Sequence, residues 1–145
     1  MIKLRLVPIV AGFTALVSLT PISSVQAASA ARPVPAVNTA SVNIIRMPHT
    51  VEVVACGQTP TTGWTNPRLS RVVNVVAPAD GVYEFTYLIT PPPAGSVTGQ
   101  MVTPHEVKLV WRNYPEKTLK GVKITGANGS VVGMLGIPKV KCTVK

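Results

Sequence analysis

The chain has 145 residues, 46% hydrophobic and 13% charged, with 14 Lys and Arg against 5 Asp and Glu for a formal net charge of +9. That length holds one domain with a modest core, and the excess of cations directs attention to anionic partners. The 2 cysteines and 2 histidines stand apart without metal-ligand spacing, which excludes a zinc site and leaves no cofactor to expect.

Residues 1–27 read as a secretory signal peptide. Lys3 and Arg5 form a short positive start, Leu6 to Leu19 an apolar run, and Ser23 to Ala27 a polar stretch ending in small residues. The apolar run is too short to span a membrane, and no later run is long enough. Residues 28–40, "ASAARPVPAVNTA", lack periodicity and read as a flexible N-terminal tail.

From Ser41 the pattern is β. "SVNIIRM" and "TVEVVAC" are split by Pro48-His49, "LSRVVNVVA" stops at Pro78, and "GVYEFTYLIT" stops at Pro91. "EVKLVWRN" stops at Pro115, "KGVKIT" faces "SVVGML" across Ala127-Asn128-Gly129, and "KVKCTVK" closes the chain. About seven or eight short runs punctuated by turn residues predict an all-β domain over 41–145, a single small immunoglobulin-like β-sandwich or a barrel. Asn128-Gly129 is the strongest hairpin signal, since both residues tolerate positive φ. Alternation assigns the faces. Tyr83, Phe85, Tyr87 and Ile89 point to the core, as do Val107, Leu109 and Trp111. In the last run Pro138, Val140, Cys142 and Val144 oppose the lysines, so Cys142 is expected to point inward. Outside the cytoplasm, Cys56 and Cys142 predict one disulfide, which at that span contributes up to roughly 4–5 kcal/mol in the chain-entropy account.

Catalytic machinery is not expected. A hydrolytic triad needs a nucleophile, a base and an orienting acid together. His49 and His105 both follow prolines and read as turn residues, and Asp80-Gly81 reads as a turn before a strand. The C-terminal lysines offer a different possibility: if the hairpin lies beside the last strand, Lys123, Lys139 and Lys141 share a solvent face suited to a polyanion.

The densest turn chemistry lies in "CGQTPTTGWTNPRL", residues 56–69, which places Trp64 between two stiff turns. Its Thr59–Pro67 segment is the expected site for a protein partner, through Thr61, Thr62, Gly63 and Trp64. The ring is either a contact offered to that partner or a lid on the core. "TPTTGW" resembles the first loop of chagasin-like cysteine-peptidase inhibitors, small secreted β-sandwiches that wedge three loops into a papain-like cleft. The resemblance implies a second loop in "PPPAGSVTG", residues 91–99. The third loop has no counterpart, for "VWRNYP" carries its Trp and Arg in another order. Over roughly residues 56–112 the chain is also similar to a group of small secreted bacterial proteins, which implies no activity.

The sequence thus predicts a monomeric, non-catalytic, secreted or periplasmic β-sandwich acting by surface recognition or in envelope structure. The alternatives are a chagasin-like inhibitor of papain-type peptidases and a polyanion-binding module.

Overall fold

The computed structural model describes residues 29–46, 48–138 and 141–143; the expected signal peptide lies outside them. Two sheets are stacked as a sandwich. One holds β2 (Ala36–Ile45), β3 (Thr50–Thr59) and β6 (Thr103–Arg112), in the order β2-β3-β6 and antiparallel throughout. The other is mixed. Its β5 (Val82–Thr90) pairs antiparallel with β4 (Thr65–Arg71) along one edge. Along the other edge β5 pairs parallel with β7 (Gly121–Gly126) and then antiparallel with the short β1 (Arg32–Pro33). β8 (Gly129–Met134) completes this sheet against β7.

The period-2 pattern places the core as expected. Phe85, Tyr87 and Ile89 from β5 and Val107 and Trp111 from β6 are buried between the sheets with Val51, Val53, Val122 and Ile124. Aromatic rings remove the most surface per residue, on the order of 150–250 Å² each. Trp111 meets Tyr83 and Phe85 edge-on at 5.4 and 5.6 Å between centroids. At one corner the sheets nearly fuse. A parallel bridge joins Val42 to Leu135, and a Cβ on Gly133 would lie 2.6 Å from the Ala40 carbonyl oxygen. The chain stops short of a closed barrel there, and glycine is what lets the two backbones approach.

Four expectations require correction. Residues 32–40 are not a flexible tail: they form β1 and the start of β2, and Val34 is wholly buried. The Val34 and Pro35 carbonyls accept the backbone N–H groups of Ala127 and Asn128, so this segment braces the β7–β8 turn. That turn is itself displaced by one residue from the expected Asn128-Gly129. Gly126 pairs with Gly129 and leaves Ala127-Asn128 at the tip.

The run "LSRVVNVVA" is strand only as far as Arg71, and Val73, Val75 and Val76 stand in solvent. The last run is not a strand at its described residues, 141–143, and Cys142 does not point into the core. The disulfide to Cys56 forms, with Cα atoms 5.4 Å apart. On β3 the core takes Val51, Val53 and Ala55, so Cys56 lies on the opposite, outer face, across from Glu106. The C-terminal segment is therefore a strap over the outside of the three-stranded sheet. Gln58 Nε2 also donates to the Thr143 carbonyl, at 3.3 Å.

Candidate functional site

The sandwich has two ends of different character. At the first, the Thr59–Trp64 loop meets the 91–102 loop and the N-terminal segment. Thr62 donates its N–H to the Gly99 carbonyl at 3.0 Å, and its Oγ1 accepts the Gly99 N–H at 2.8 Å. Gly63 takes φ +84, a left-handed conformation that lets the chain turn against Pro92. The Thr59 hydroxyl donates to the Thr61 carbonyl at 3.0 Å and so is left to accept from His105 Nε2, also at 3.0 Å. Burial holds His105 below its ordinary pKa, favouring the neutral ring in that role. The Tyr87 hydroxyl donates to the His105 carbonyl at 2.9 Å; burial, then the charge of Glu106, raises the phenol's pKa and keeps it a donor.

Trp64 belongs to this network. Its ring is 8% exposed and packs in the core cluster, its Nε1 donates to Thr61 Oγ1 at 3.0 Å, and the Arg32 guanidinium lies 4.7 Å from its centroid. The indole is thus a lid, covered from above by a cation. Of the four residues expected to meet a partner, Thr61 and Trp64 bond each other and Thr62 bonds Gly99 of the neighbouring loop, while Gly63 presents exposed backbone.

The opposite end is open. Here β4 runs out at Arg71, β5 begins, and β6 ends at Arg112. A cleft of about 270 Å³ is bordered by Arg71, Tyr83, Trp111 and Pro115 beneath the Val72–Ala77 loop. Arg71 reaches over the Trp111 ring at 5.4 Å, and the Tyr83 hydroxyl shares a hydrogen bond with Thr118 Oγ1 at 2.8 Å. Tyr114 stacks obliquely beside His49, which meets Glu116 at 3.1 Å. Past Val72, whose N–H bonds the Glu84 carbonyl, Val73 and Val76 border the cleft while staying mostly exposed, and Val75 stands fully in solvent. A loop of this composition in water is unusual, because isolated apolar side chains are common at surfaces but contiguous ones are not. Sequence reasoning assigned these residues to a strand. The signal that separates them is that "VVNVV" puts valines on both faces of any strand, which an edge strand with one wet face does not suit.

The lysines do not assemble as expected. Lys123 lies on the outer face of the four-strand path through β7, where its Nζ is 2.7 Å from Glu84 Oε1. Lys141 adjoins Cys142 on the outer face of the other sheet, and Lys139 lies outside the described residues. Lys123 and Lys141 are on opposite sides of the sandwich. Among the described residues, no three of His, Cys, Asp and Glu gather as a metal site. Comparisons with protein-family models, curated proteins and solved structures each return no significant match.

Proposed function

We propose that the chain is a non-catalytic recognition domain of a secreted or periplasmic compartment, engaging its partner through the open end of the sandwich. The observation that carries this reading is the solvent-facing valine loop above the Tyr83–Trp111 cleft. Exposed contiguous apolar surface is costly to keep soluble, and it marks contact sites. The Cys56–Cys142 bridge is compatible with an oxidising compartment. Fractionation of the cells that make the protein tests the reading. The oxidised chain, lacking residues 1–27, is expected outside the cytoplasm and in the envelope fraction. The combined variant Val73→Ser, Val75→Ser, Val76→Ser is expected to fold equally well and to leave that fraction. A reduced cytoplasmic protein, or a variant retained as fully as the parent, contradicts it.

A second reading, a chagasin-like inhibitor, is favoured by one observation: the two loops that the resemblance requires are joined through Thr62 and Gly99. Against it, Trp64 is covered, and "VWRNYP" lies at the other end of β6. Titration of papain with the purified protein decides it. Sub-micromolar inhibition supports the inhibitor, and undiminished peptidase activity removes it.

A further inference from the structure

We propose that the open end docks on an anionic lipid surface, an inference that rests on the recognition reading above and names its partner. The segment "VVNVVAPA", residues 72–79, carries no charge, and Val75 is fully exposed at its tip. Val73 and Val76 border the cleft from above while staying mostly exposed, and Val75 projects clear of the protein. A fully exposed, uncharged apolar tip suits insertion into a soft medium. Ile44 and Ile137, both about half exposed, add apolar surface where β2 leaves the sheet for the Arg46 turn.

The charges around this surface are of one dominant sign. Arg71 precedes the loop and Arg112 follows Trp111, while Lys117 and Lys120 flank Thr118 and Leu119 in the next connection; all four are exposed. The acids nearest the loop are engaged: Asp80 Oδ1 accepts the Val82 N–H, Glu116 meets His49, and Glu84, whose carbonyl accepts the Val72 N–H, pairs with Lys123. Uncharged apolar projection within a rim of cations is the complement of a bilayer face, where acyl chains lie beneath anionic headgroups. Tyr83 and Trp111, half-buried and buried at the level between loop and core, are residue types that favour that boundary. Lipid and protein partners both benefit from apolar contact, but only the former benefits from cations confined to the rim without a matched set of acidic positions.

Co-sedimentation of the purified, oxidised protein with vesicles tests the proposal. One vesicle is equal parts phosphatidylcholine and phosphatidylglycerol, the other phosphatidylcholine alone. The protein is expected to pellet with the first, to remain largely free of the second, and to be released by salt. Val73→Ser, Val75→Ser, Val76→Ser together should abolish pelleting with no change in Tm. Arg112→Gln and Lys117→Gln should each weaken partitioning by about fivefold, as for the loss of one cation near an anionic surface. Equal binding to both vesicles, or full binding by the valine variant, overturns the proposal. So does a concentration-dependent doubling of mass that the valine variant removes in the absence of lipid binding, since the loop is then a contact between copies. If vesicles fail while envelope retention still depends on the valines, the lipid assignment falls and the recognition reading stands. If both fail, both fall.

Discussion

Trp64 and Trp111 are each buried at 8% and 7% exposure, yet they sit at opposite ends of the sandwich and do different work. Trp64 closes the core where Thr59, Thr61 and His105 exchange hydrogen bonds. As a lid it should matter for stability: Trp64→Ala is expected to cost about 3–5 kcal/mol, the range for emptying a core aromatic site. Urea denaturation checks this, and a loss near zero would mean the ring is a free contact. His105 gives a pH test at the same place. Its folded pKa lies below the ordinary 6.5, because burial penalises the charged ring. The unfolded chain therefore takes up this proton first as pH falls. The stability it contributes is present above about 6.5 and is lost progressively as pH drops through the lowered folded value. His105→Gln should flatten the decline in Tm between about pH 7 and pH 5 relative to the parent.

Elements were legible where a strand has one dry face. β5 and β6 alternate cleanly, and their buried sets are those that the period-2 pattern picks out. The pattern was silent where burial comes from elsewhere. "RPVPAV" has no alternation, yet Val34 is wholly buried because the segment is clamped between β5 and the β7–β8 turn. Cys142 was misplaced for a related reason. Alternation assumes a strand, whereas a covalent tether holds this segment across the outside of β3, where it helps to account for the burial of Cys56 away from the core. The strap should be separable from the core. Cys142→Ala is expected to lower stability by about 2–5 kcal/mol, as for loss of a native disulfide in a small domain. It should also expose the chain beyond Leu135 to limited proteolysis while leaving the near-ultraviolet aromatic signal of the core unchanged. Loss of that signal would make the strap part of the core.

At the scale of the whole molecule, the candidate site was legible only in part. Turn chemistry in "TPTTGW" drew attention to a loop whose hydroxyls are spent on Trp64 and on the neighbouring 91–102 loop. The open end carried no motif: its features are valines without a face and cations from the β4–β5 and β6–β7 connections, which only the fold brings to one end. The overall charge of +9 pointed to anionic partners, but the C-terminal lysines among the described residues do not share one face. Lys123 is paired with Glu84, and Lys141 lies on the other sheet.

The claim that the valine-rich end docks on a lipid surface is tested most directly by the two tryptophans themselves. Trp64→Phe leaves Trp111 as the only indole at the open end; Trp111→Phe leaves Trp64 at the closed one. Vesicles of equal parts phosphatidylcholine and phosphatidylglycerol, with bromine on the acyl chains near the headgroups, quench indoles that come within contact range. Strong quenching of Trp111 with Trp64 unaffected is the predicted result. Quenching of Trp64, or of neither residue, would contradict the account.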